Sequence, residues 1–275
     1  MSLQASNPNK ALWEKGDFTK IAATMRASGE AIVAELNLRP GMTTLDLGCG
    51  DGTTALPAAQ TGAEVLGVDI APNLVEAGNR RAQTAELTNL RFQEGDASNL
   101  EDLTDDSFDV VISIFGAMFA PRPMDVAAEM VRVTKPGGKI VMGNWIPGDP
   151  TFVAQLLKIS GAYSPPPPEG FISPVTWGLT DTVSERFGAA GVPADQIQSE
   201  PRPFLFISPE PPADFLARFR DYYGPTMNAY AAATADGRAE SLQAELEALV
   251  GEHNQSPDPG ATKVSATYLR VEVSV

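Results

Sequence analysis

Residues 45–52 read Leu-Asp-Leu-Gly-Cys-Gly-Asp-Gly, an apolar run carrying Asp46 that breaks into glycines at positions 48, 50 and 52. Glycines so spaced let backbone amides approach a bound group closely. The next apolar run ends on Asp69, about 20 residues past the first glycine, the spacing at which a carboxylate reaches both hydroxyls of a ribose diol. The pair points to a ribose-bearing ligand. A dinucleotide would call for a glycine at position 53, which is Thr53 here, and Asp46 beside the turn would repel a pyrophosphate. A ligand with a cationic group suits the pattern better. Cys49 and His253 are the sole residues of their types. An internal disulfide, a multi-histidine metal site and a metal cofactor are therefore not expected. Cys49 has no nearby histidine in sequence to activate it as a nucleophile, and its position calls for a small side chain.

These residues need a scaffold that brings strand ends together. Short β-branched or apolar runs at 43–47, 63–70, 90–95, 108–115 and 138–145 alternate with helix-length segments. That alternation predicts a doubly wound, mostly parallel α/β sheet covered by helices on both faces. Residues 19–38 carry Ile21, Met25, Ile32, Val33 and Leu36 at helical spacing and predict a lead-in helix ending before Arg39-Pro40-Gly41. Helices are also expected over 72–87, opened by Pro72, and over 122–134. More than half of the 23 prolines fall between positions 147 and 212, including the run 165–168, which predicts a rigid, loop-rich insertion. Further along, 181–192 reads as a helix, 196–208 as a strand, 213–253 as two or more helices and 263–275 as a final alternating strand.

The chain is a single domain on this reading, with a core over 39–146, 179–208 and 263–275 and lid insertions at 147–178 and 209–262. Its 275 residues carry a net charge of −15 at pH 7, which repels polyphosphate, and no Lys/Arg cluster offsets it; no nucleic-acid partner is expected. The longest apolar stretch, 110–120, falls well short of the ~20 residues of a membrane-spanning helix. The first ten residues lack the apolar core of a signal peptide, and with one cysteine the expected compartment is the reducing cytoplasm.

With Asp46, Gly48, Gly50 and Gly52 in order, the chain resembles the class I S-adenosylmethionine-dependent methyltransferases, whose signature is [D/E]-x-G-x-G-x-G. Asp69 after the second strand, Glu94-Gly95-Asp96-Ala97 after the third and Val131-Arg132-Val133-Thr134-Lys135-Pro136-Gly137-Gly138 before the fifth agree with it. In detail the chain is similar to the small-molecule branch that includes ubiquinone and menaquinone C-methyltransferases. The likeness covers 39–146 well, the final strands loosely and the insertions hardly at all. The resemblance implies a seven-stranded Rossmann-like sheet with an antiparallel last strand, S-adenosylmethionine as cofactor and S-adenosylhomocysteine as product. It further implies that Asp46 and the Gly48–Gly50 turn, with Cys49 inside it, face the methionine part. Asp69 would hold the ribose, Ile70 pack on adenine, and Asp96 and Ala97 read the adenine edge. Ser113, Ile114 and Phe115 would line the place where the methyl is presented, and Trp13 and Phe18 would close over the cofactor.

Ligands of open parallel sheets sit beyond the carboxyl ends of the strands, where both insertions are launched. Their aromatic content (Phe152, Tyr163, Phe219, Tyr222, Tyr223 and Tyr230 among others) predicts an apolar lid for a small organic acceptor, methylated by in-line displacement. Met118, Trp145, Tyr222 and Tyr223 are the expected acceptor-binding residues. Tyr222 and Tyr223, then Asp149 and Asp221, are the candidates for a base, without a motif to support them. Two other readings stand beside this one: a non-catalytic S-adenosylmethionine-binding protein, favoured by a lid that leaves no acceptor cavity, and a methyltransferase of protein side chains, favoured by an open acidic trough.

Overall fold

The computed structural model describes residues 9–275. One seven-stranded sheet runs through them, built from β1 (Thr43–Leu47), β2 (Glu64–Asp69), β3 (Leu90–Glu94), β4 (Phe108–Ile114), β5 (Thr134–Trp145), β6 (Ile197–Ser208) and β7 (Thr262–Ser274). Their order is β3-β2-β1-β4-β5-β7-β6. β1 to β5 pair in parallel, and β7 lies antiparallel between β5 and β6. β6 therefore runs with the parallel strands. This is the Rossmann-like arrangement expected from the sequence. β1 and β4 are buried almost throughout because helices cover both of their faces. Pro201 and Pro203 are tolerated in β6 because it is the edge strand, where a missing N–H costs no ladder bond.

The helices are α1 (Lys10–Glu14), α2 (Thr19–Ala22), α3 (Arg26–Ala34), α4 (Ala55–Gln60), α5 (Pro72–Thr84), α6 (Pro123–Val133), α7 (Phe152–Tyr163), α8 (Thr180–Ala189), α9 (Pro212–Tyr222), α10 (Gly224–Ala235) and α11 (Ala239–His253). One apolar cluster joins α3 and α4 to β2 and β4 through Val33, Ala55, Ala58, Val65 and Ile112. The larger one packs α6 and α8 on the opposite face through Val126, Met130, Val183 and Phe187, and continues into α7, α9, α10 and α11, which stack on one another as a helical cap.

Two segments depart from the sequence expectation. The helix expected over 19–38 is broken by a 3-10 turn at Ala23–Met25, where the Thr24 hydroxyl donates to the Ile21 carbonyl and tightens the chain. It also stops at Ala34, with Asn37 in the left-handed region at φ 56° shortly after it. The segment 147–178, expected to be loop-rich, contains the twelve-residue α7. Its prolines crowd the two flanks and leave 152–163 free of them, so Phe152, Val153, Leu156 and Tyr163 form one buried face.

Candidate active site

Strand order reverses between β1 and β4, and a crevice lies beyond their carboxyl ends. The glycine turn after β1 is fastened to β2 by Gly48 and Cys49, whose N–H groups donate to the Val68 carbonyl at 2.7 and 3.1 Å. Gly48 and Gly116, the turns after β1 and β4, touch backbone to backbone: a Cβ on Gly48 would lie 2.6 Å from the Gly116 Cα. Ser113 locks this junction, donating to the Leu47 carbonyl at 2.6 Å and accepting from the Ala117 N–H at 2.9 Å. Gly50, at φ 56°, is different. A Cβ there would meet nothing closer than the Phe18 ring at 3.8 Å, so its Cβ direction opens into the crevice.

That crevice is a cavity of about 930 Å³ including its mouth, lined by Gly48, Cys49, Gly50, Asp69, Ile70 and Ala97 on one side and by Trp13, Phe18, Ile114, Phe115 and Phe119 on the other. Asp69 is buried. Its two oxygens accept from the Gly50 N–H at 2.8 Å and the Ala71 N–H at 3.0 Å, which aims the carboxylate across the turn. Burial nonetheless pushes its pKa up, against these two bonds. Asp46 lies beneath the turn and accepts from the Thr54 hydroxyl at 2.6 Å. Burial raises it to about 7, a rise the Thr54 hydroxyl opposes. Asp51 is held by Arg26 at 2.5 Å and Arg81 at 3.6 Å, and its Oδ1 is buried without a partner at the cavity wall. The Cys49 thiol is driven up by burial and stays neutral.

At the end of β4, Phe115 takes the left-handed region at φ 61°, which a bulky residue adopts only under constraint. Its N–H donates to the Gly143 carbonyl at 2.9 Å and its ring stacks on Trp145, centroids 3.6 Å apart and planes at 7°. Beyond the pair lies a second, smaller and narrower chamber of about 370 Å³ including the space open to solvent, lined by Phe115, Trp145, Phe206, Phe219 and Tyr223 among other apolar side chains. It shares Trp13, Phe18, Met25, Phe115 and Phe119 with the first cavity, so the two adjoin. The N-terminal segment closes their common mouth. Asn9 donates to the Phe119 carbonyl, Lys10 to the Ile70 carbonyl at 3.0 Å and to the Glu94 carboxylate, and Trp13 meets Phe119 edge-on at 4.9 Å.

Of the residues singled out in the sequence, the structure brings Trp13, Gly48, Cys49, Gly50, Asp69, Ile70, Ala97, Ile114 and Phe115 to the first cavity, and Trp145 and Tyr223 to the second. Asp46 and Ser113 stand directly behind the wall. Asp96 caps its own turn, accepting from the Ser98 N–H and hydroxyl. Met118 is buried in the core away from both linings, and Tyr222 points outward, 37% exposed. Asp149 accepts from the Thr151 N–H at 2.8 Å ahead of α7, and Asp221 pairs with Arg220 at 2.7 Å on the surface. Thr54, Asp51, Gly116, Phe119, Phe204 and Phe206 line or support the cavities although the sequence did not single them out for the site. For Phe204 and Phe206 the signal was there: alternate aromatics on β6 share a face near its carboxyl end. Thr54 left none.

Residues 45–142 match the family model described as a methyltransferase domain. An uncharacterized protein of Mycobacterium tuberculosis is 33% identical over 247 residues, covering 89% of this chain and 88% of that protein. The chain belongs to the class I S-adenosylmethionine-dependent methyltransferases. A demethylmenaquinone methyltransferase of Renibacterium salmoninarum is 36% identical over 121 residues, 44% of this chain and 48% of that one. Among solved structures, the YcgJ protein of Bacillus subtilis overlays with a TM-score of 0.57 at 18% identity, over 90% of this chain and 97% of that one. Phosphoethanolamine N-methyltransferase 2 of Haemonchus contortus overlays at 0.56 and 18% identity, over 90% of this chain and 52% of that one. These two likenesses speak for the fold.

The family's cofactor is S-adenosylmethionine, and this methyltransferase's first cavity fits it. The open Cβ direction of Gly50 leaves room for a ligand against the backbone, the unpartnered Asp51 Oδ1 and the Asp69 carboxylate offer acceptors, and the carboxylate-rich turn favours a cation. Among the described residues no helix is long and apolar enough to cross a membrane.

Proposed function

We propose that this methyltransferase transfers a methyl group to a small, largely apolar or aromatic organic molecule held in the second chamber. The observation that carries the reading is the adjacency of the two cavities across Phe115. When bound, S-adenosylmethionine supplies an electrophilic methyl on a sulfonium, which a nucleophile displaces in line. In this reading Asp69 holds the ribose hydroxyls and Ile70 packs on adenine beside Asp96 and Ala97. The Gly48–Cys49–Gly50 backbone, with Asp46 behind it, takes the methionine part. Phe115 and Ile114 stand where the two cavities meet, and Ser113 sets that wall through its bonds to Leu47 and Ala117.

The protein's part is alignment and exclusion of water. Trp145 and Tyr223 bound the acceptor, while Trp13, Phe18 and Phe119 seal the mouth and Lys10 and Asn9 pin the sealing segment to both walls. An acceptor chamber speaks against a purely cofactor-binding role, and its aromatic lining speaks against a protein side chain as acceptor. The partial likeness to the demethylmenaquinone methyltransferase supports an aromatic acceptor. The acidic surface and the single buried cysteine support a cytoplasmic enzyme that does not act on nucleic acid.

The test is to incubate the protein with S-adenosylmethionine and a panel of aromatic and isoprenoid acceptors and measure S-adenosylhomocysteine. Release above the acceptor-free rate, lowered by Trp145→Ala, is the expected result. Cofactor binding with no turnover on any small acceptor would overturn the reading, and turnover on peptides alone would move it to protein side chains.

A further inference from the structure

Tyr223 stands at the junction of α9 and α10 with its backbone fixed on both sides: its N–H donates to the Phe219 carbonyl at 3.2 Å and its carbonyl accepts from the Met227 N–H at 2.9 Å. Its ring packs edge-on against Phe219 at 5.6 Å and lies near Trp13 at 6.1 Å and Phe18 at 6.3 Å. The side chain is 6% exposed. It carries the only side-chain oxygen among the residues lining the acceptor chamber, and its hydroxyl has no hydrogen-bond partner among the described residues. Of the other lid tyrosines, Tyr163 donates to Glu245 at 2.6 Å, Tyr230 donates to Gln243 at 2.5 Å, and Tyr222 faces outward.

A hydroxyl that no protein group pairs with, on the lining of an otherwise apolar chamber, is available to a ligand there, and a ligand that displaces water from it without pairing leaves it unsatisfied. We propose that the Tyr223 hydroxyl donates a hydrogen bond to an oxygen or nitrogen of the acceptor, so that the substrate class is an apolar, ring-sized molecule bearing a hydrogen-bond-accepting heteroatom, not a plain hydrocarbon. The inference rests on the acceptor reading of the second chamber. Burial drives the phenol's ionisation well above its ordinary value, so Tyr223 acts as a neutral donor that orients the substrate and does not serve as a base.

The test uses two probes of nearly equal shape, 2-acetonaphthone, which accepts one hydrogen bond, and 2-isopropenylnaphthalene, which accepts none. Each is titrated calorimetrically into the full chain saturated with S-adenosylhomocysteine, as wild type, Tyr223→Phe and Tyr222→Phe. The wild type and Tyr222→Phe are expected to prefer the ketone by about tenfold, which corresponds to ~1.4 kcal/mol. Tyr223→Phe is expected to lose that preference while binding the hydrocarbon at least as tightly. Equal binding of both probes to the wild type, or a preference that survives in Tyr223→Phe, overturns the role of Tyr223 and leaves the chamber reading intact. Failure of both probes to bind a protein that does bind S-adenosylhomocysteine overturns the chamber reading and this inference with it.

Discussion

Replacing Asp69 by alanine removes one carboxylate that does two jobs. It accepts the Gly50 and Ala71 N–H groups at 2.8 and 3.0 Å, and it lines the cavity where we propose that the ribose binds. Hydrogen bonds to a charged group contribute roughly 1.5–3 kcal/mol, so the cofactor Kd is expected to rise about 10- to 150-fold. The effect on folding should be smaller. The substitution orphans two backbone donors, at roughly 1–3 kcal/mol each if nothing replaces the acceptor. Gly50 borders the cavity, however, and water can reach its amide there. Burial also raises the Asp69 pKa, so the charged carboxylate carries a desolvation penalty that alanine relieves. These terms offset, leaving a loss of about 1 kcal/mol, or a Tm lower by ~2–4 °C for a domain of this size. Calorimetric titration with S-adenosylmethionine, paired with a thermal melt of the cofactor-free protein, separates the two effects. An affinity within twofold of wild type alongside a lowered Tm would refute the placement of the ribose at Asp69, leaving the residue as a brace for the turn.

Three further outcomes follow from the same geometry. Gly50→Val projects its methyls into the open cavity from a residue at φ 56°, and is expected to weaken S-adenosylmethionine binding at least about a hundredfold, ~2.7 kcal/mol; wild-type affinity by titration would contradict it. Gly116→Ala would push a Cβ to 2.6 Å from the Gly48 Cα, where only backbone could yield, and should cost about 1–3 kcal/mol in denaturant unfolding; an unchanged midpoint would show that the junction is not tight. Asp46 has its folded pKa raised to about 7, so the cofactor-free native state holds a proton that the unfolded chain releases near pH 4. Its contribution to stability is present below that value and is lost as pH rises toward 7. Asp46→Asn should therefore gain on the wild type by about 2–3 kcal/mol between pH 5 and pH 8 in urea unfolding; a difference that does not change with pH would contradict the assignment.

The parallel sheet and the cofactor wall were legible because each rests on local pattern. The β1 run into glycines 48, 50 and 52 and the carboxylate at the end of β2 need only a strand period and a turn. Asp69, Ile70 and Ala97 follow from their places at strand ends, and all three line the cavity. The acceptor side was less legible. Nothing local distinguishes Tyr222 from its neighbour, yet the chain bends between α9 and α10 and turns one outward and the other into the chamber. Met118, close after β4, was expected at the acceptor; the 3-10 turn at Ala117–Phe119 buries it in the core and presents Phe119 instead. The helix α7 was obscured by the prolines on either side of it. The partnership of Asp46 with Thr54 spans the turn itself, and no spacing rule announces it.

The central claim is that the cavity behind the glycine turn holds S-adenosylmethionine. Calorimetric titration of the purified protein with S-adenosylmethionine and, in parallel, with NADH tests it most directly. Micromolar, one-to-one binding of S-adenosylmethionine with none of NADH is the result the geometry predicts; binding of NADH alone, or of neither, would contradict it.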